Sequence, residues 1–180
     1  DVAANHVDLP EFILDRLRVS LRESGIKHDV VAAVLAMAPE GAVGNVRLWR
    51  RLATALDSFL SSDDGRLLAG GWRRVSSLLA AEEKKTTNLS LRVDEDLFVD
   101  QTETDLYKAV QLLPNSGGQD EPAILSAMQG LASLSGPIDR FFDAVVVNAD
   151  EDIVRSNRLA LLAAVRAKML VIADFSQLEG

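Results

Sequence analysis

Apolar residues recur at every third or fourth position along almost all of this chain, and that spacing leaves helices as the main thing it can build. The pattern starts at Leu9, Phe12, Ile13, Leu17 and Leu21, while Glu11, Asp15, Arg18 and Arg22 fall on another face as a solvated stripe. Asp8, Pro10 and Glu11 read as a helix start, and Gly25 as its end. A short apolar helix follows over 30–37, opened by Asp29 and closed by Pro39 and Gly41. A third helix is expected from Asn45 to Leu60, with Trp49, Leu52, Ala53, Leu56 and Phe59 as its inner stripe. Asp63 and Asp64 then cap a fourth, which turns Leu68, Trp72, Val75 and Leu79 inward. Gly70 and Gly71 sit in its middle, where each costs about 1 kcal/mol relative to alanine. The expectation is a kink or a close helix–helix approach at that point.

The pattern fails between Lys85 and Glu103. There Leu89, Leu91 and Val93 alternate with polar residues ahead of the acidic stretch 94–100. The reading is an extended or disordered connection near 86–103, either a short strand or a strap. Three helical segments follow. Leu106, Val110 and Leu113 mark the first, and the loop 115–118 ends it. Ile124, Met128 and Leu131 mark the second, which Gly136 and Pro137 are expected to break, with Pro137 as the first residue of the next helix. Ile138, Phe141, Phe142 and Val145 mark the third. Asp150 is expected to cap a last long helix with Val154, Leu161, Val165, Met169 and Ile172 as its stripe. The fold class expected is all-α: an antiparallel helical bundle with short loops.

Composition narrows the function. Apolar residues make up 48% of the 180, enough for a real core. No run approaches the roughly 20 apolar residues of a membrane helix, and stretches such as 159–165 have arginines close by. No signal-peptide pattern opens the chain, which begins at Asp1 without a Met and reads as an excised or processed piece. The absence of cysteine excludes disulfides and thiolate metal sites and fits a cytoplasmic location. Net charge is −8, which argues against nucleic-acid binding driven by bulk charge. The acid is uneven, however: residues 91–180 hold seven Lys/Arg and fifteen Asp/Glu, whereas the basic clusters lie between Arg47 and Lys85. An RNA-binding face on such a body has to be a local patch.

Chemistry-bearing constellations are few. His28–Asp29 spells the dipeptide of metal-dependent phosphohydrolases, but His6 is the other histidine and lacks a partner at ligand spacing. No metal site and no catalytic residue is expected. No nucleophile elbow, phosphate-cradling glycine loop or synthetase ATP-site signature is present. Arginines are more informative. Arg47, Arg50 and Arg51 share a solvent side around Trp49, as Arg66, Arg73 and Arg74 do around Trp72. Each group is either a solvated face or a set of phosphate contacts. Arg158 differs, because it lies on the helical line of Val154, Leu161, Leu162 and Val165 and so points toward the core. A buried arginine needs a carboxylate. Asp143 or Asp139, one turn apart on the preceding helix, is the expected partner.

Several strings carry a family resemblance. Phe12-Ile13-Leu14-Asp15-Arg16-Leu17-Arg18, Gly25-Ile26-Lys27-His28-Asp29 and Ala33-Val34-Leu35-Ala36 resemble the segment just after the HD-like domain of bacterial glycyl-tRNA synthetase beta subunits. The stretch from Pro137 through Phe141-Phe142-Asp143 to Ala149 is similar to that family's C-terminal part. So are Asn157-Arg158-Leu159-Ala160-Leu161-Leu162 and the ending Val171-Ile172-Ala173-Asp174-Phe175-Ser176.

The resemblance implies a helical anticodon-binding domain of the DALR type over 39–180, preceded by a helical lead-in, 1–38, that follows an upstream HD-like domain. It implies a part of an α2β2 enzyme whose alpha subunit makes glycyl-adenylate with ATP and Mg²⁺. This stretch would bind the anticodon arm of glycine tRNA, with no cofactor, catalytic residue or membrane contact of its own. Its partners would be that tRNA, the alpha subunit and the rest of the beta subunit. Candidate RNA contacts are Arg155, Asn157 and Arg158 near the start of the last helix, Arg140 opposite, and Arg73 and Arg74 for phosphates. Phe141 and Phe142 read as core rather than stacking platforms. The alternative is a non-catalytic helical protein–protein module, which the acidic net charge favours.

Overall fold

The computed structural model describes residues 9–37, 45–85, 92–115 and 121–178. Among them are seven α-helices and no strand. Helix α1 (Leu9–Glu23) ends where expected. Gly25 takes φ +88°, its N–H reaches the Arg22 carbonyl (2.9 Å), and the Ile26 N–H reaches that of Leu21 (3.3 Å). This is a Schellman closure with its apolar contact, since Leu21 and Ile26 are both buried. Helix α2 (His28–Leu35) starts after Lys27, not at Asp29, which lies in its first turn. Helix α3 (Val46–Leu60) is capped by Asn45, whose side chain accepts from the Leu48 N–H. Helix α4 (Asp63–Glu83) is capped by Ser62, while Asp63 and Asp64 occupy its first turn and favour the positive end of the dipole. Gly65 makes the tight α3–α4 turn possible, because a Cβ there would stand 2.0 Å from the Phe59 carbonyl oxygen.

Helix α4 carries its central glycines without breaking, and the two do different things. A Cβ on Gly71 would come 2.5 Å from Ile138 Cγ2, so α4 and α6 (Glu121–Ala144) touch at that point. A Cβ on Gly70 would meet nothing within 4 Å. The expected break at Gly136–Pro137 is corrected: α6 runs through it. Pro137 leaves the Ser133 carbonyl without its helical donor, at a cost of about 3 kcal/mol. Leu131, Leu134, Ile138 and Phe141 lie on both sides and are all fully buried. At about 1.5–3 kcal/mol each, their burial outweighs that loss. Gly136 also removes the Cβ that a following proline would crowd.

Helix α6 is the centre of the fold, packed against α3, α4 and α5 (Gln101–Leu112), and α7 (Asp152–Leu170) lies against α4 and α5. Glu151, not Asp150, is the residue that precedes α7. Residues 92–100 cross as a strap with one 3-10 turn (Glu95–Leu97), and α5 already begins at Gln101. The alternation read at Leu89 and Leu91, the Asp8 cap, the closing residues Pro39 and Gly41, His6 and the loop glycines 117–118 lie outside the described residues. Helices α1 and α2 belong to the same core. Val30, Val31, Ala33 and Val34 are buried in it, and the Asp174 N–H bonds the Ala33 carbonyl (2.9 Å). A closing 3-10 turn (Phe175–Gln177) sets Phe175 against Trp72, with ring centroids 5.5 Å apart.

Candidate nucleic-acid interface

The sequence offers two sets of candidate contacts, and the fold treats them differently. Those on α7 are drawn into the structure. Arg158 is buried, with Nε donating to Glu103 Oε1 (2.9 Å) and one terminal nitrogen donating to the Val146 carbonyl (2.9 Å). Its carboxylate partner is therefore Glu103, 55 residues earlier, and not Asp143 or Asp139. The reason is geometric. Asp143 is exposed on the outer side of α6, and Asp139 faces a different groove. Glu103 is fully buried at the third position of α5, where its other oxygen accepts from the Val99 and Asp100 N–H groups (2.8 Å each). One carboxylate thus completes the capping box of α5 and neutralises the buried arginine of α7.

Asn157 is engaged just as fully. Its Oδ1 accepts from the Asp94 N–H and its Nδ2 donates to the Asp94 carbonyl, both at 2.8 Å. That two-point clamp fixes the strap 92–100 to α7. Arg155 lies between α7 and α4, 3.6 Å from buried Glu82 and 3.5 Å from Asp152, with its Nε buried and without a hydrogen-bond partner among the described residues. Around this end of the bundle the surface is acidic: Asp94, Glu95, Asp96, Asp143, Asp150, Glu151 and Asp152 are all exposed. Periodicity exposes neither the Glu103 nor the Asn157 role; the one sequence signal for Glu103 is its place three residues after Asp100.

The α4 candidates are placed for solvent. Arg73 and Arg74 are exposed, and neither has a carboxylate within ion-pair distance among the described residues. They line a groove of about 610 Å³ between α4 and α6, together with Arg66, Gly70, Asp139 and Phe142. The Arg74 guanidinium stands 5.2 Å from the centre of the Phe142 ring. Phe141 is core, as expected. Phe142 departs from that expectation: it is half-buried, edge-on to Phe141, and its outer part walls the groove. Past Arg66 and Arg73 a second depression, about 290 Å³, continues to Lys27. Arg66 itself is paired with Asp63. Arg140 is exposed on α6, folded back beside Gly136, and does not line the groove. Of the first arginine cluster, Arg47, Arg50 and Arg51 are exposed on α3, with Arg50 bonded to Ser20 Oγ (2.6 Å).

Two chemistries are available to such a surface. A guanidinium pair with an aromatic ring beneath one member suits phosphate and an unpaired base together. No set of three or more His, Asp or Glu side chains is gathered to hold a metal among the described residues. No helix of the described residues is long and apolar enough to cross a membrane.

Comparison with known proteins identifies a family and several relatives. The family model described as DALR anticodon binding domain matches residues 71–172, from the middle of α4 to the end of α7. The glycine–tRNA ligase beta subunit of Ruegeria sp. (strain TM1040) is 39% identical over 180 residues, covering 98% of this chain and 26% of that protein. The protein of the same name from Paracoccus denitrificans (strain Pd 1222) is 40% identical over 187 aligned residues, with the same coverage of both. A third, from Cereibacter sphaeroides (strain ATCC 17029 / ATH 2.4.9), is 38% identical over 176 residues, covering 96% of this chain and 25% of that protein. The chain spans about a quarter of the length of the curated relatives it matches.

Proposed function

The chain belongs to the DALR anticodon-binding domain family, and on that premise we propose that it serves as the tRNA-binding end of a glycine–tRNA ligase beta subunit. In this reading it binds the anticodon arm of glycine tRNA and performs no chemistry itself. Adenylate formation with ATP and Mg²⁺ belongs to an alpha subunit, within an α2β2 enzyme of the cytoplasm. Residues 1–38 lead in from the preceding part of the beta subunit, and their helices α1 and α2 pack into the core of the RNA-binding unit formed with 39–180. The names of the relatives support the enzyme, and the matched family supports the RNA.

The observation that carries the RNA-binding face is the pair of guanidiniums with no carboxylate partner among the described residues, Arg73 and Arg74, on a groove with Phe142 at its wall. They contact the RNA backbone, and the track extends toward Lys27. Arg155, Asn157 and Arg158 act here as fasteners, since Arg155 pairs with Glu82, Asn157 bonds both backbone groups of Asp94, and Arg158 bonds Glu103 and the Val146 carbonyl. The acidic end they hold together repels phosphate and fits the second reading, contact with other protein parts of the same enzyme.

Titration of the chain with the glycine tRNA anticodon arm at several salt concentrations tests the proposal. Each phosphate contact to single-stranded RNA contributes a log–log slope of about −0.7. The Arg73→Ala, Arg74→Ala double variant is expected to flatten the slope by about 1.4. An unchanged slope, or no binding at low salt, counts against an RNA face at α4.

A further inference from the structure

Three large apolar side chains at the acidic end of the bundle face solvent: Val146 is 73% exposed, Val99 72% and Ile153 61%. The buried Glu103–Arg158 pair brings the first two together. One Glu103 oxygen accepts from the Val99 N–H, and Arg158, bonded to the other oxygen, donates to the Val146 carbonyl. Ile153 lies one turn before Asn157 on α7, on the side that Asn157 turns to the strap at Asp94. Carboxylates surround them. Residues 92–100 and 143–155 hold eight Asp/Glu and two arginines. Of these acids Glu95, Asp96, Asp143, Asp150 and Glu151 are exposed, with no ion pair among the described residues. A lone surface valine needs no explanation, but apolar groups gathered beside unpaired charge of one sign have the make-up of an interface.

Charge decides what can cover such a face. RNA is repelled, and a second copy meeting it with the same patch sets acid against acid. The chain has no cationic cover of its own in reserve, since none of the residues outside the described ranges is Lys or Arg. Area decides the rest. Three apolar side chains fall well short of the about 800 Å² per partner of a stable interface between free proteins. A covalently linked partner needs far less, because a short connection holds it at an effective concentration of about 1 mM. The chain spans about a quarter of the relatives it matches, so the rest of such a polypeptide is the linked candidate. We propose that this face docks a segment of the preceding part of the same beta subunit, one that presents Lys or Arg around apolar side chains, with Val99, Val146 and Ile153 as its contacts. The proposal rests on reading the chain as the end of a beta subunit and does not depend on the RNA groove at α4.

The test compares amide hydrogen exchange in the 180-residue chain, in the full-length beta subunit and in the enzyme with its alpha subunit. A tethered segment with an affinity of about 0.1 mM slows exchange beneath it about tenfold. The expected result is slowing of that size at 95–99 and 146–153 in the beta subunit relative to the chain, with no further change when the alpha subunit is added. Two variants of the beta subunit, Val146→Ser with Ile153→Ser and Glu95→Lys with Asp150→Lys, should each bring the rates back toward those of the chain. All four side chains are exposed, so neither variant disturbs the core. Slowing that appears only with the alpha subunit, or in the chain alone as its concentration rises, gives the face to another occupant and overturns the proposal. Slowing that survives in both variants overturns it as well. Equal rates in all three samples, with Arg73→Ala, Arg74→Ala still flattening the salt slope for RNA, overturn the docking and leave the proposed function intact.

Discussion

Alanine at Gly71 and alanine at Gly70 should have opposite consequences, although the residues are neighbours in one helix. Both substitutions gain about 1 kcal/mol of helix preference, and that contribution cancels when the variants are compared. What remains is space. At Gly70 the new methyl meets nothing, so the gain stands alone. At Gly71 it arrives 2.5 Å from Ile138 Cγ2, about an ångström inside ordinary carbon contact. Ile138 cannot step aside: it is buried on α6, and its β-branched side chain has one favoured χ1 in a helix. The helices must separate instead, at a cost of about 1–3 kcal/mol. At about 2–4 °C per kcal/mol for a chain of this size, Gly71→Ala should melt roughly 2–12 °C below Gly70→Ala. A calorimetric or circular-dichroism melt measures this. In an Ile138→Ala background the penalty should disappear and Gly71→Ala should become stabilising. Equal melting of the two single variants, or a penalty that survives Ile138→Ala, would refute the close approach of α4 and α6.

Other outcomes follow from the fasteners. Glu103→Ala removes the partner of buried Arg158 and the N–H acceptor for Val99 and Asp100; urea unfolding should show a loss of about 3–5 kcal/mol, and a loss under about 1 kcal/mol would contradict the pairing. Asn157→Ala frees both backbone groups of Asp94, so limited proteolysis should cut the 92–100 strap faster while helical circular dichroism is unchanged. Equal cutting of the two proteins would argue against the clamp. Acid should weaken the fold through depressed carboxylates. Asp174 sits partly buried, which alone would raise its pKa, but hydrogen bonds from Ser176 and Gln177 bring it below the ordinary value. The Thr102 hydroxyl and N–H lower Asp100 likewise, and the Arg166 hydrogen bond lowers Glu83. A folded pKa below the unfolded value gives stability that is present above about pH 4 and lost as pH falls through the folded value. Stability measured against pH should therefore fall below about pH 4, less steeply in Asp174→Asn; identical slopes would contradict the Asp174 contribution.

Much of the fold is legible in the sequence because burial follows helical period. The stripes of α3, α4 and α7 read from spacing are buried at Leu56, Leu68, Val75, Leu79, Leu161 and Val165, and Gly25 and Asn45 punctuate the chain where their chemistry says they should. Pro137 misleads because a local rule meets a tertiary one: the apolar residues around it gain more from central burial than the helix loses at one carbonyl. The site is legible in its residue types and not in its partners. Periodicity places Arg158 inward, but nothing local points to a carboxylate 55 residues away that also caps another helix. Asn157 reads as polar and free until the strap returns to it. Phe142 reads as core because it follows Phe141, yet about 100° of helical rotation carries it to the wall of a groove.

The most direct test of the central claim is an amide hydrogen-exchange footprint of the chain with and without the glycine tRNA anticodon arm, at salt low enough for saturation. The account expects new protection on α4 around 66–74 and on α6 around 139–142, with residues 94–103 and 150–158 unchanged. Protection concentrated at 150–158 instead would return the contact to Arg155, Asn157 and Arg158 and contradict the assignment of RNA binding to the α4 groove.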